Sequence, residues 1–340
     1  MRSVLAYVLA LLGTSTTLEK PVAVPGLLLT EEYEEKVANN SASFHPNFSL
    51  NTPVGIQANG RLAAPDVDLY FGGSSGLGRT AFVQALAFDP STGLRAQFLD
   101  RVIIVEGNIA ALLAASRLTS NSSDAHVEVT LAETMIFDKD ALLSRIVSIT
   151  ESGLAAAQQA GQVAAPPLEP IVRNPIANTS TAFTFKIKEK AAQFNINANN
   201  KNASANGLLA AENVTVVSDG RNSTGRASLV NLFTRYNTSV PDLLQHDEFV
   251  IGQGNWVATE YIYQGTRNGT FTMVNGTEVP PNGQPYRARG MRFMRFNEDG
   301  LVDLFWQGAD NDIFVSPLGL LNPLATLNSV APECIAQLPA

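Results

Sequence analysis

The stretch DEFVIGQGNWVATEYIYQGT, residues 247–266, has the pattern of two β-strands joined by a tight turn at Gly254-Asn255. Large apolar and aromatic residues recur at alternate positions, which is typical of strands that pack in a sheet. Successive side chains point to opposite faces of a strand. The predicted faces of the second strand are Val257, Thr259, Tyr261 and Tyr263 on one side, and Trp256, Glu260 and Ile262 on the other.

Two further strands are predicted downstream. YRARGMRFMRF (286–296) follows a long loop, and NEDG (297–300) forms a tight turn into LVDLFWQGAD (301–310). A helix-like stretch, RASLVNLFTR (226–235), precedes all of these strands. Helices followed by a strand meander indicate an α+β fold, in which helices pack on one face of a mostly antiparallel sheet.

The chain also contains a long internal repeat. RLAAPDVDLYFGGSSGLGR (61–79) aligns without gaps with LLAAENVTVVSDGRNSTGR (208–226). At the same offset, IIVEGNIAA (103–111) aligns with VIGQGNWVA (250–258). A repeat of this length predicts a duplicated domain rather than a solenoid.

The second copy is longer than the first. FDKDALL (137–143) answers FNEDGLV (296–302) at a larger offset, so the extra residues lie between these matches and the earlier ones. They fall in GTRNGTFTMVNGTEVPPNGQ (265–284), whose Gly, Pro and Asn content predicts a long hairpin loop.

The repeat argues against a nucleotide-binding site at YFGGSSGLGRTAF (70–82), although this stretch has the glycine spacing of a dinucleotide-binding loop. The second copy keeps only Gly220 and Gly225 at this place, and the preceding APDVDLYF is too polar for a buried parallel strand. The Tyr-x-x-x-Lys pair of short-chain dehydrogenases is absent. The element common to both copies is a turn, then Gly-Arg, then a helix.

The expected organisation has five parts. Residues 1–17 form a secretory signal peptide, because a single Arg precedes an apolar run too short to span a bilayer. The other expected parts are a divergent first domain at 25–152, an Ala/Pro/Gln-rich linker at 153–170, a second domain at 171–316 and a C-terminal tail at 317–340.

Composition narrows the class of partner. The 340 residues carry a net charge of −8, which disfavours nucleic acid. The lone cysteine, Cys334, excludes an intramolecular disulfide and a cysteine-based zinc site, and no His, Asp and Glu spacing indicates a metal site. We expect a secreted, extracellular glycoprotein with exposed glycosylation sites. The predicted acceptors are Asn39, Asn47, Asn121, Asn178, Asn202, Asn213, Asn222, Asn237, Asn268 and Asn275.

From about Leu208 to Asp312 the second copy resembles the SnoaL-like polyketide cyclase family of the nuclear transport factor 2-like superfamily. GRASLVNLF is similar to the family's Gly-Arg helix entry, and VIGQGNWVATEYIYQGTRNGTF is similar to its strand pair. PPNGQPYRARGMRFMRFNEDGLVDLFWQGAD is similar to its Pro-Pro-x-Gly, Arg-Phe, Asp-Gly and closing strand with Trp and Asp. The first copy shares the resemblance only through its kinship with the second.

The resemblance implies two tandem cone-shaped domains, each with helices wrapped on a curved sheet around an apolar cavity. Family members include cyclases, dehydratases, isomerases and non-catalytic binders, and the known enzymes often use an Asp or His as general base without a metal or other cofactor. Many dimerise through the sheet, so we expect either a homodimer or an intramolecular pseudo-dimer of the two domains.

Two residues are candidates for catalysis. Asp310 occupies the position of the family's acid/base Asp on the final strand, where burial would raise its pKa. An exposed carboxylate at the strand end is the alternative, and Asp312 is the substitute if the register slips. His246 is the only histidine of the second domain, but Leu99 stands at its position in the first copy, which favours a structural or surface role.

Six residues are candidates for ligand binding: Trp256, Tyr261, Tyr263, Arg267, Arg292 and Trp306. Arg267 stands where the family motif usually has His; it could hold an oxyanion, or it could be a solvated loop charge. Arg292 is predicted to point away from Arg287, Arg289 and Arg295 on its strand. The aromatic residues could equally belong to the core.

The leading hypothesis is a secreted protein whose second cone binds a small hydrophobic molecule, polyketide- or terpenoid-like. If it is an enzyme, the resemblance implies a cofactor-independent lyase or isomerase of polyketide-cyclase type with an Asp base. The alternatives are a non-catalytic binder and a structural or interaction glycoprotein whose cones are filled by their own side chains.

Overall fold

The computed structural model describes residues 29–49, 52–71, 74–86, 94–120, 123–150, 179–218, 221–272 and 278–310. These residues form two α+β domains, as predicted. Each domain has three helices and a six-stranded sheet within the described residues, and the second adds a small hairpin. The expected signal peptide, linker and C-terminal tail lie outside the described residues.

The first domain begins with two helices that lead into the sheet. Its elements are α1 Glu31–Ser49, α2 Pro53–Leu62, β1 Ala63–Phe71, β2 Ser74–Leu77, α3 Arg79–Leu86, β3 Leu94–Glu106, β4 Ile109–Ser120, β5 Ser123–Phe137 and β6 Leu143–Thr150. Thr52 caps α2 by accepting from the Gly55 N–H, and Pro53 fits the first turn, where its missing N–H costs nothing.

The second domain repeats this order. Its elements are α4 Thr181–Asn199, α5 Ala203–Leu208, β7 Ala210–Ser218, β8 Arg221–Thr224, α6 Arg226–Ser239, β9 Leu244–Gln253, β10 Trp256–Thr266, β11 Phe271–Thr272, β12 Glu278–Val279, β13 Pro285–Phe296 and β14 Val302–Ala309. Ser180 and Asn202 cap α4 and α5 through their side-chain oxygens.

Both sheets have the same strand order. It is β2-β1-β6-β5-β4-β3 in the first domain and β8-β7-β14-β13-β10-β9 in the second. Among the strands that the structure describes, only β1–β6 and β7–β14 pair in parallel. A β-bulge interrupts the edge pair at the same place in both sheets, beside Asp100 in one and Asp247 in the other. The duplication therefore extends to the pairing register and to its irregularities.

The extra residues of the second copy lie in the β10–β13 connection, as predicted. They include a two-stranded hairpin in which Phe271 pairs with Val279 and Thr272 with Glu278. In the first domain β4 and β5 pair along almost their whole length instead.

The repeated Gly-Arg pair has a structural role in both domains. Gly78 and Gly225 have φ values of +90° and +96°, which favour glycine, and their N–H groups donate to Val67 and Val214. The Arg79 and Arg226 Nε atoms donate to the carbonyls of Ala63 and Ala210, at 3.0 and 2.7 Å. The motif joins the start of a helix to the sheet, which explains the dinucleotide-like glycine spacing without a nucleotide.

Each sheet uses both of its faces. One face packs against the helices of its own domain, and we call the region between this face and those helices the cone. The opposite faces of the two sheets pack against each other around an apolar cluster that includes Ile104, Ile136, Trp256, Phe293 and Trp306. Among the described residues, no helix combines the length and hydrophobicity needed to cross a bilayer.

Most predicted glycosylation acceptors that the structure describes are at the surface. Asn39, Asn202, Asn213, Asn222 and Asn268 are exposed, and Asn47 and Asn237 are half-buried. The Asn47 amide donates to Asn59 at 3.1 Å, so this nitrogen is already engaged within the fold. Asn121, Asn178 and Asn275 lie outside the described residues.

Candidate functional site

The alternation predicted for β10 is confirmed, and it separates cone residues from residues between the domains. Val257, Tyr261 and Tyr263 belong to the core of the second domain, whereas Trp256 belongs to the cluster between the two sheets. Glu260 also points to the first domain, where its carboxylate contacts Arg145.

Arg292 is the centre of a polar network inside the second cone. Its side chain is fully buried on the inner face of β13. The guanidinium donates to Gln307 at 2.7 Å and also to Asn195 and Gln245. It lies 4.1 Å from the ring centroid of Tyr261, so a cation–π contact adds to the hydrogen bonds. The prediction that Arg292 points away from the other arginines of its strand is confirmed.

Asp247 completes this network, and the search for catalytic residues in the sequence missed it. The Asn195 amide donates to its carboxylate, so Asn195 links Asp247 to Arg292. Burial raises the pKa of Asp247 from 3.8 to about 7, although Arg292 and Asn195 act in the opposite direction. A carboxyl group with this pKa is suited to general-base catalysis near neutral pH.

A row of four polar side chains crosses the inner face of the second sheet. In register they are Ser218 on β7, Gln307 on β14, Arg292 on β13 and Thr259 on β10. We call these residues the inner polar row. The Ser218 and Thr259 hydroxyls are buried and have no hydrogen-bond partner among the described residues. An unsatisfied buried hydroxyl is costly, and these two would be satisfied by a molecule bound in the cone.

Tyr261 and Tyr263 continue the inner face beyond the row. Both are fully buried, and their ring centroids are 5.2 Å apart. Gly290 lies opposite Tyr261 on β13, and a Cβ atom there would be 2.5 Å from the tyrosine ring. The absence of a side chain at this glycine lets the Tyr261 ring lie flat against the strand.

Asp310 does not lie in the cone, which corrects the expected location of the base. Side chains alternate along β14, so Phe305 and Ala309 face the cone core while Trp306 faces the other domain. Asp310 shares the side of Trp306, and its carboxylate accepts a hydrogen bond of 2.6 Å from the Tyr70 hydroxyl of the first domain. Asp312 lies outside the described residues.

Three other predicted site residues also lie away from the cone. Trp256 and Trp306 are buried between the two sheets, so they do not line the second cone. His246 is exposed on β9, because it alternates with the buried Gln245. Of the alternatives for His246, the structure supports a surface residue.

Arg267 is buried, so the alternative of a solvated loop charge is wrong. It retains 2 % of its accessible surface. Its guanidinium donates to the Pro280 carbonyl at 3.2 Å, and its backbone N–H donates to Gln284. These contacts hold the loop between β10 and β13 together.

The first domain carries a charged cluster at the positions of Asn195, Asp247 and Arg292. The corresponding residues are His45 on α1, Asp100 on β3 and Glu133 on β5. The His45 Nδ1 atom contacts Asp100, and its Nε2 atom lies 3.2 Å from Glu133. His45 is buried, although its Asn- and Ser-rich surroundings suggest an exposed residue.

These clusters make stability depend on pH. Burial by itself lowers the pKa of His45, but Glu133 and Asp100 outweigh it and raise the pKa from 6.5 to about 9. Because the folded pKa is the higher one, this stabilisation is complete below pH 6.5 and is lost as the pH rises to about 9. The pKa of Asp247 is also higher in the folded state, so the folded protein holds a proton that the unfolded chain has already lost. Stability therefore falls as the pH rises from about 4 to about 7.

We therefore expect the melting temperature to fall as the pH rises from 4 to 9, over two overlapping ranges. The measurement is thermal unfolding across this range. Asp247→Asn should abolish the fall in melting temperature below about pH 7 and leave the fall between about pH 7 and pH 9 unchanged. A melting temperature that rises between pH 7 and pH 9 would contradict the account of His45.

Among the described residues, no cluster of three or more His, Cys, Asp and Glu side chains could hold a metal ion. Asp247, Arg292 and the hydroxyls of the inner polar row are among the groups of the second cone that can take part in chemistry. They can bind a polar group and move a proton.

Comparison with known proteins agrees with the resemblance seen in the sequence. Residues 189–311 match the SnoaL-like polyketide cyclase family. No curated protein matches the chain in sequence.

Three solved structures of similar fold each align with less than half of this chain and with nearly all of their own. A protein from Jannaschia sp. CCS1, assigned as a SnoaL-like polyketide cyclase, is 12% identical, covers 43% of this chain and 99% of its own, and has a TM-score of 0.36. IdmH from Streptomyces antibioticus, assigned as a polyketide cyclase, is 19% identical and has a TM-score of 0.33. The match covers 39% of this chain and 99% of IdmH. A SnoaL-like polyketide cyclase from Agrobacterium tumefaciens is 16% identical and covers 39% and 98%, with a TM-score of 0.32.

Proposed function

Because residues 189–311 match the SnoaL-like polyketide cyclase family, we propose that the second domain binds a small, largely apolar molecule in its cone. The observation that carries the proposal is the inner polar row, in which Ser218 and Thr259 present buried hydroxyls without partners among the described residues. A polar atom of the ligand would lie against these hydroxyls, and its apolar body against Tyr261 and Tyr263.

The chemistry of the row points to an oxygen-bearing ligand. Hydroxyl groups donate to carbonyl or hydroxyl oxygens, and the positive charge of Arg292 favours electron-rich atoms nearby. The remaining inner face is aromatic and aliphatic, which suits a ring system. A polyketide- or terpenoid-like ketone combines these features.

Asp247 supports proton transfer as a second candidate function. A carboxylate with a pKa of about 7 can remove a proton from the carbon next to a carbonyl group, and the resulting enolate oxygen would be stabilised by the row. The enolate carbon then attacks a second carbonyl carbon of the same molecule, whose C=O π bond opens to an alkoxide that takes the proton back from Asp247. The reaction would be an aldol cyclisation that needs no cofactor, and return of the proton to a different carbon of the enolate would give an isomerisation.

The binding proposal is tested by filling the row with side chains that the first domain already uses. Phe71 and Leu112 occupy the positions of Ser218 and Thr259 in the first sheet. We expect Ser218→Phe/Thr259→Leu to keep the fold and to weaken binding of a dihydroxyanthraquinone probe at least about tenfold, or by about 1.4 kcal/mol. Isothermal titration calorimetry measures the change.

The matched control is Gln264→Phe/His246→Leu, which introduces the same two side chains at exposed positions of the same sheet. It should leave the affinity unchanged. Wild-type protein that binds neither this probe nor anthracene would support the alternative of filled cones. Equal affinity in the wild type and the double variant would place any bound probe outside the cone.

Asp247→Asn separates binding from catalysis. If the domain catalyses proton transfer, we expect this variant to lose about 10²–10⁴ in turnover while it still binds the probe, because the amide cannot accept the proton. The wild-type rate should rise with pH through about 7, where Asp247 loses its proton. Unchanged turnover in Asp247→Asn would exclude Asp247 as the base.

Secretion and glycosylation belong to the same proposal. The N-terminal sequence and the exposed acceptors Asn39, Asn202, Asn213, Asn222 and Asn268 support an extracellular glycoprotein. Expression in a secreting eukaryotic host should give a chain whose mass falls on treatment with an N-glycosidase. An unchanged mass would oppose this part of the proposal.

A further inference from the structure

The two sheets meet around an approximate two-fold axis. The Gly252 N–H of the second domain donates to Glu106 of the first at 2.7 Å. The Val105 N–H of the first domain donates to Gln253 of the second at 3.1 Å. Val105 and Glu106 align with Gly252 and Gln253 in the repeat, so the two bonds are symmetry mates. Each domain therefore occupies the place of a second copy of the other.

A buried ionic group breaks this symmetry. Glu260 is fully buried, and its carboxylate accepts from Thr134 at 2.6 Å and from Arg145 at 2.7 Å, both in the first domain. Arg289 of its own domain also donates to it, at 2.6 Å. The positions related to Glu260 and Arg145 by the two-fold axis hold Leu113 and Leu304, which lie in the apolar cluster between the sheets.

Two other polar contacts are also present on one side of the axis only. Lys188 of α4 donates to Glu106 at 2.6 Å, and the related positions hold Ala38 and Gln253, which form no ion pair. Tyr70 donates to Asp310, and Val217 replaces its hydroxyl at the related position. In all three contacts the first domain supplies a polar partner, and the second domain has no equivalent side chain at the corresponding position.

We infer that the contact face of each sheet is specific for the unlike domain, and that the divergent first domain serves as the built-in partner of the second. If two second domains met through this face, Glu260 would lie against Leu304 and Phe293 in place of Arg145 and Thr134. A buried carboxylate that loses two of its three partners is strongly unfavourable. The face thus favours pairing within the chain over pairing of like domains from two chains.

The test moves the charged pair to its symmetry mate in the full chain. Leu304→Arg places a cation against Leu113, and Leu113→Glu places an anion against Leu304. We expect Leu113→Glu to lower the melting temperature by about 10 °C, because it buries an unpaired charge, and Leu304→Arg to lower it by less, because Leu304 is half-buried. The double variant should recover about half of the summed loss, since the axis brings the two charges together.

The control is Leu304→Arg/Leu113→Gln, which has nearly the same volume and no anion, and it should show no recovery. Light scattering gives a second readout. Leu304→Arg gives the second domain both members of the pair and should promote association between chains, which Leu113→Glu should reverse.

The inverse pair keeps the test decisive if these variants do not fold. Glu260→Leu/Arg145→Leu copies the natural Leu113–Leu304 contact and should be more stable than either of its single substitutions. The inference is overturned if the losses are simply additive for both pairs, or if the wild type forms a dimer through this face. Recovery in either pair supports it.

Discussion

Replacing Arg292 by Met is expected to lower the free energy of unfolding by about 3 kcal/mol, because it removes one partner from a buried ionic network. Arg292 is fully buried, and its guanidinium satisfies Asn195, Gln245 and Gln307. Methionine has a similar length and fills much of the space, so the loss reports on charge and hydrogen bonding more than on volume. Chemical denaturation measures the change.

The pKa of Asp247 gives a second readout of the same substitution. Arg292 lowers this pKa, so its removal should raise the value further, which a loss of packing alone would not do. Arg287→Met is the matched control, because Arg287 is exposed on the opposite face of the same strand, and its effect should stay within about 0.5 kcal/mol. A comparable effect of both substitutions would contradict a special role for the cone network.

Replacing His45 by Asn is expected to cost about 3 kcal/mol at pH 7, because it leaves Glu133 buried beside Asp100 without a cation. Glu133 keeps 3% of its side-chain surface, so water cannot replace the lost partner. The paired substitution His45→Asn/Glu133→Arg recreates the Asn195, Asp247 and Arg292 arrangement of the second domain. It should recover at least half of the loss, as the repeat supplies the same backbone positions.

Ala42→Asn controls for the helix, since Ala42 is exposed on α1 and tests the propensity of Asn alone. Thermal and chemical unfolding of the four proteins provide the comparison. If His45→Asn/Glu133→Arg is less stable than His45→Asn alone, the two polar networks are not interchangeable. That result would contradict their structural equivalence.

The strand pattern and the duplication could be predicted because both leave local signals. Alternation along β10 placed Tyr261 and Trp256 on opposite faces, and the Gly-Arg repeat placed the same turn in both domains. The loop at residues 265–284 was identified by comparing the two copies. None of these inferences required contacts between distant segments.

The sequence could not show which face of each strand would line the cone. The spacing of Trp306 and Asp310 predicts that they share one face of β14, and they do, but that face meets the other domain instead of a ligand. Side chains alternate in the same way on a face that lines the cone and on a face that meets the other domain. Only the packing of the two sheets distinguishes the two faces.

The polar network of the second cone was hidden for a different reason. Asn195, Asp247 and Arg292 lie far apart in the chain and come together only when α4 crosses the sheet. The repeat did contain a signal, since Asp100 and Asp247 align beside the same bulge. The role of these two carboxylates is visible only in the fold, where the helix residues His45 and Asn195 lie opposite them.

Native mass spectrometry of the full chain, expressed in a secreting host and deglycosylated, shows whether the second cone holds a ligand. We expect the wild type to retain one small molecule and Ser218→Phe/Thr259→Leu to lose it, because the larger side chains occupy the inner polar row. A wild-type spectrum that shows the bare polypeptide, or equal retention by both proteins, would contradict the claim that the second cone is a binding site.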